Sequence, residues 1–219
     1  GVQTDLSLFN TLFGLDNVIN TGFRFHQDRI NRDHFEQNFL MREGAMQADR
    51  LGPRFTTVNY EQTDAISVYL EDTVTFGDWQ IGAGVRGESI DSRYQNRKQD
   101  KEDDWQEKQT LNWLYSFSTF YTLSEQTGLF FGVHQGFVPT SPKQKAEVKP
   151  EKSVNYELGA RYNDGTTKLE SVVFLNDFDN LKESCSFSTS ASCTASAKLD
   201  QEYNGGEVDV YGLEFNLES

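Results

Sequence analysis

The residues of this chain best suited to holding a ligand are arginines and histidines spaced at alternate positions. Arg24 and His26 alternate in "GFRFHQDRI", and Arg86 and Glu88 in "GVRGESI". His134 stands between Gly132 and Gly136 in "GVHQG", and Arg161 lies in "LGARY". The stretch from Arg29 to Arg54 adds Arg29, Arg32, His34, Arg42, Arg50 and Arg54. A guanidinium fork matches carboxylate oxygens two bonds at a time. Against these arginines stand Asp33, Glu36, Glu43 and Asp49, with Asp28 just before. The stretch is close to balanced in charge, so a broad electrostatic funnel is not expected. Two readings stand: some of these arginines meet a ligand, or each braces a neighbouring carboxylate.

Enzymatic chemistry finds no support. Serine, histidine and aspartate occur without a nucleophile elbow. "GAGVRG" lies inside a strand pattern and precedes no helix, so it is not a phosphate loop. The pair Asp103-Asp104 belongs to a hydrophilic charge run, and no cofactor motif is present. Cys185 and Cys193 sit close together in "ESCSFSTSASCTAS", the only cysteines in 219 residues. No histidine lies near them to complete a metal site. The spacing predicts a local disulfide formed in an oxidising compartment. A net charge of -14 makes a phosphate backbone an improbable partner, so no nucleic-acid binding is expected.

These side chains need elements to position them. In "YLEDTVTFGDWQIGAGVRGES", Ile66, Val68, Leu70, Val74 and Phe76 share one face, with Asp72 the exception. Past Gly77-Asp78, Trp79, Ile81, Ala83 and Val85 alternate with Gln80, Gly82, Gly84 and Arg86. That is the period of a strand. Hydrophobic content is only 36%, mean hydropathy is -0.65, and aromatics reach 13%. Such a composition fits sheets with one apolar face, including transmembrane barrels whose other face is wet. No apolar run is long enough for a transmembrane helix, and no signal peptide opens the chain. The first residues already read as a strand, as if the chain began within a domain.

Nine strands are predicted, at about 4-13, 18-28, 63-76, 79-94, 111-123, 127-137, 153-163, 167-178 and 207-217. Four connections are tight turns: "GLDN", "GD", "SEQ" and "NDGT". The other four, about 29-62, 95-110, 138-152 and 179-206, are long and polar, and the two kinds alternate. In an up-and-down antiparallel sheet, alternate connections lie at opposite ends. Tight turns at one end and long loops at the other is the plan of an outer-membrane barrel. Phe76, Trp79, Tyr121, Phe131 and Tyr162 near the tight turns suit an interfacial aromatic girdle. The apolar face is therefore expected to look into lipid and the polar face into a lumen.

"TGLFFGVHQGFVPTSP" followed by "VKPEKSVNYELGARY" resembles the TonB-dependent outer-membrane receptors, closest to the ferric citrate and ferric siderophore branch. The matching residues are Gly136, Phe137 and Pro139, then Val148 to Gly159. "GFRFHQDRINRDHFEQ" and "YGLEFNL" are similar to other strands of the family. The resemblance implies a barrel of about 22 strands closed by a plug domain. It implies uptake of a ferric chelate, energy-coupled through the TonB complex by way of the plug region, in the outer membrane of a Gram-negative-type cell. The long loops would be extracellular. Residues 1–219 would be an incomplete slice of one such barrel domain, lacking the plug, and Ser219 is not the family's terminal aromatic. On this reading Arg24, His26, Arg29, Arg32, Arg42, Arg86, His134 and Arg161 are candidates for ligand contact. His26 and His34 are not expected to ligate iron, because a chelate arrives fully coordinated. His134 between its glycines suits close packing against a plug. The competing functions are a passive outer-membrane channel and a soluble or surface β-rich binding module.

Overall fold

A computed structural model describes residues 1–97, 104–144, 147–185 and 202–219. Nine strands form one antiparallel sheet in the order β1-β2-β5-β6-β7-β8-β9-β10-β11. They are β1 (Val2–Leu12), β2 (Leu15–Glu36), β5 (Arg54–Phe76), β6 (Trp79–Asn96), β7 (Gln106–Thr122), β8 (Thr127–Val138), β9 (Glu151–Asn163), β10 (Lys168–Ser184) and β11 (Glu202–Glu218). β3 (Phe39–Arg42) and β4 (Ala45–Ala48) pair as a separate hairpin. Every strand of the main sheet pairs with its neighbour in the chain once that hairpin is set aside, as the alternating connections require. No helix among the described residues is long and apolar enough to cross a membrane, which says nothing of spanning strands.

The strand ends depart from the sequence reading. The first turn is Phe13-Gly14, both at positive φ, so Leu15 to Asn17 already belong to β2. The stretch 29–62 is mostly not loop. β2 runs on to Glu36 and β5 begins at Arg54, paired together almost throughout. At about 3.3 Å per residue, the 22 residues of β2 reach about 70 Å, far more than a tilted strand needs to cross about 30 Å of hydrocarbon. Likewise β10 continues to Ser184 and β11 starts at Glu202, inside the stretch expected to be loop.

Register fixes the two faces. Phe23 and Phe25 stand beside Val68 and Ile66. Leu70 stands beside Val85, which stands beside Tyr115. Phe117 is level with Val133, Leu158 with Val173, and Val173 with Leu213. One face is thus a continuous apolar band across nine strands, and its members are exposed: Leu70 50%, Leu158 60%, Leu213 69%. No large side chain is fully buried among the described residues. The apolar surface therefore covers the outside of the sheet rather than a core, the arrangement of a barrel wall in lipid. Trp79 and Tyr121 lie against each other at 4.6 Å at the turn end of this band. Asp72, the one charge in the β5 stripe, accepts a hydrogen bond from Asn17 Nδ2 on β2.

Candidate functional site

The opposite, inner face carries the polar chemistry. Glycines thin this wall where a neighbouring ring must lie flat. A Cβ on Gly22 would strike the Tyr69 ring, and one on Gly159 the Phe130 ring. Tyr69 can therefore cross β2 and donate from its hydroxyl to Asp5 Oδ1 at 2.7 Å. Phe130, lying over Gly159, carries the Arg161 guanidinium 4.7 Å from its centroid. Arg161 also pairs with Glu170 on β10. Arg86 and Glu88, two residues apart and so on the same face, join at 2.6 Å. Beside Arg86 is a cavity of about 250 Å³ lined by Tyr69, Glu71, Arg86, Leu114, Ser116 and Gln135, among others.

The structure brings six of the eight candidate ligand residues to this inner face: Arg24, His26, Arg32, Arg86, His134 and Arg161. Arg24 is level with Ser67, His26 with Ala65, and His134 with Ser116 and Asn155. Arg32 shares the face further along β2, level with Asn59. Arg29 does not: it is level with Gln62, on the side of Phe23 and Phe25, and so points away from the lumen. Arg42 belongs to the β3–β4 hairpin, apart from the main sheet. Arg86 and Arg161 have carboxylate partners, Glu88 and Glu170, as the bracing reading expects. Among the described residues no cluster of three or more histidine, cysteine or acidic side chains could hold a metal ion. Cys185 is buried. Cys193, and the expected pairing with it, lies outside the described residues, as does Asp103.

Two features escaped the sequence. Above the outward apolar band, Gln27 and Gln62 both donate to Asp64, and Arg93 donates to Gln62 at 2.6 Å. Arg93 stacks on Trp105 and Arg97 on Tyr60. This polar belt begins one row past Phe25, Ile66 and Leu111. Its only sequence signal is the alternation continuing into charged residues. The second feature is that the connection after β8 meets the inner side of the sheet at Ser141 and at Val148. There Ser141 Oγ meets Glu61 Oε1 at 3.3 Å and Lys108 Nζ donates to the Val148 carbonyl at 3.4 Å.

An antiparallel wall with an apolar outside and a polar, ion-paired inside defines a transmembrane β-barrel protein. The chain belongs to the TonB dependent receptor-like β-barrel family, whose match extends over residues 1–219. It is similar in fold to the ferric citrate transporter FecA in its unliganded form, at 21% identity and a TM-score of 0.73, covering 98% of this chain and 31% of that one. The ferric-catecholate import receptor Fiu from E. coli K12 gives 14% identity and a TM-score of 0.74, over 98% and 34%. The ferric yersiniabactin uptake receptor FyuA from Yersinia pestis gives 20% and 0.63, over 98% and 31%. The chain spans about a third of the length of these solved receptors.

Proposed function

We propose that residues 1–219 are part of the barrel domain of an outer-membrane receptor that takes up a ferric chelate of citrate or siderophore type, driven through TonB. The long connections would then be extracellular and the tight turns periplasmic. The observation that carries this reading is the two-faced wall of a family whose solved relatives include ferric-chelate receptors. A continuous lipid-type band lies outside, and Arg24, His26, Arg86, His134 and Arg161 line the inside. An anionic chelate passing such a wall would exchange hydration for guanidinium forks already held in place by Glu88 and Glu170. No step of bond making is asked of the chain, and we read it as a transporter rather than an enzyme.

The test is uptake of radio-iron, presented as ferric citrate and as ferric catecholate and hydroxamate chelates, by cells expressing the complete receptor with and without TonB. Saturable uptake of one chelate that needs TonB is the expected result. Uptake that persists without TonB, together with steady conductance in a planar bilayer, would make the protein a passive channel. Absence from the outer membrane would leave a binding module.

A further inference from the structure

The chain has two methionines, Met41 and Met46, and the fold sets them directly opposite each other. β3 and β4 are joined by Glu43-Gly44, at φ 49° and 77°. Positive φ at both central residues is the signature of a two-residue type I′ hairpin turn. Arg42 and Ala45 flank the turn as one rung, and Met41 and Met46 form the next. Rungs that exchange hydrogen bonds alternate with rungs that do not, and side chains stand closer on the second kind. A two-residue turn closes on a hydrogen-bonded rung, so the methionines take the closer kind. Their Cβ atoms are then about 4.5–5.5 Å apart, on one face. Beyond the last rung the hairpin is fastened by the Asp49 amide, which donates to the Asn38 carbonyl at 2.8 Å.

Packing does not account for this pair. Met41 is 70% exposed and Met46 68% exposed, and the hairpin pairs with no strand of the main sheet. Phe39, level with Ala48, lies on the same face as the methionines, while Arg42 projects from the other. A thioether is a neutral, polarizable sulfur donor, and such soft ligands select Cu(I) over hard cations. Two metal–sulfur bonds of about 2.3 Å set end to end span about 4.6 Å, which matches the separation across this rung. We propose that Met41 and Met46 form a two-sulfur site for a soft monovalent cation, Cu(I) or Ag(I), at the tip of the β3–β4 hairpin. The turn holds the two sulfurs in register before the cation arrives, so little ordering is left to oppose binding. The Phe39 ring can offer its π face to the bound cation. The site shares no residue with the inner face and requires neither iron nor transport, so it stands apart from the proposed function.

The test uses the complete receptor, isotope-labelled at the methionine methyls, and silver(I) nitrate in chloride-free buffer. Silver(I) matches Cu(I) in charge and softness without its redox chemistry. The two methyl resonances are assigned by their loss in M41L and in M46L. Both should shift with one common midpoint, and zinc(II) should move neither. The midpoint should be unchanged between about pH 5.5 and 7.5, because a thioether has no proton to lose, whereas protons compete at histidine or carboxylate ligands. In M41L the Met46 midpoint should rise at least about tenfold, since a single sulfur lacks the advantage of a second, tethered one. A45M/M46A keeps two methionines but puts them on opposite faces of the hairpin, and it should weaken binding as much as M41L does. Methyls that do not respond, a Met46 midpoint unchanged in M41L, or binding by A45M/M46A as tight as in the unsubstituted receptor would each overturn the inference. An equal response to zinc(II), or a midpoint that follows pH, would do the same.

Discussion

Val172 and Val173 offer a direct test of which face meets lipid, because the same substitution can be made at adjacent positions. Val173 stands between Leu158 and Leu213 and is 56% exposed, with Tyr156, Ala160, Tyr211 and Phe215 around it on the outward face. Val172 faces inward, between Gly159 and Glu214. Both lie five or six residues beyond Thr167 at the turn. That is about 20 Å along the strand, or about 14 Å along the membrane normal at a tilt of about 45°. An apolar band about 25 Å tall puts them near its middle. Lysine at Val173 should therefore cost about 2–4 kcal/mol, which lowers the folded-to-unfolded ratio about 30- to 700-fold. Lysine at Val172 should cost far less, since its ammonium stays in the wet lumen opposite Glu214, a pair worth about 1 kcal/mol at most. The assay is denaturant unfolding of the complete receptor in lipid vesicles, comparing midpoints at equal slope. Equal destabilisation by V172K and V173K, or a larger loss at Val172, would refute the assignment of faces and with it the membrane reading.

How far the sequence reveals this structure depends on contrast between its two faces. Within the apolar band the contrast is strong: Val68 against Ser67, Ile81 against Gln80. Alternation there yields the strands, the Gly77-Asp78 turn and the inward set of Arg24, His26, Arg86, His134 and Arg161. Past Phe25 and Ile66 both faces are polar. Gln27, Arg29 and Asn31 look outward while Asp28, Ile30 and Arg32 look inward. With no contrast to detect, a strand that runs on to Glu36 reads as a loop, and Arg29 is credited to the vestibule although its register turns it away. Other features depend on partners distant in the chain. Asp72 looks like a misplaced charge until Asn17 is set beside it. Gly159 looks like a weakness in β9 until Phe130 lies across it. The connection between β8 and β9 reads like the other charged connections until Lys108 and Lys182, 74 residues apart in number, reach the carbonyls of Val148 and Pro139. Local pattern encodes facing, and only the ladder register encodes these meetings.

Gly159→Ala should destabilise the barrel by about 1–3 kcal/mol, because the added Cβ meets the Phe130 ring and comes within 2.7 Å of the Ser171 carbonyl. Gly132→Ala on the same face, with nothing within 4 Å, should change the denaturation midpoint little, and equal effects would discredit the ring-over-glycine account. Cys185 and Cys193 should be oxidised together in the mature protein, a short ring worth about 2–3 kcal/mol at most, and alkylation of both in unreduced, denatured protein would disprove the pairing. At the β9–β10 turn, Asp164 accepts from the amides of Thr167 at 2.7 Å and Thr166 at 2.9 Å, and from the Tyr162 hydroxyl at 3.1 Å. These donors, the Thr167 amide foremost, favour the charged carboxylate and hold its pKa below the ordinary 3.8. The turn's extra stability is therefore fully present above 3.8 and is lost as pH falls through the lower, folded value. The Thr166 and Thr167 amide resonances should titrate together with a midpoint below 3.8, and Asp164→Ala should remove that titration. A midpoint at or above 3.8 would mean that the carboxylate is not caught by the turn, and that β9 and β10 are joined by the ladder from Asn163–Lys168 onward without its help.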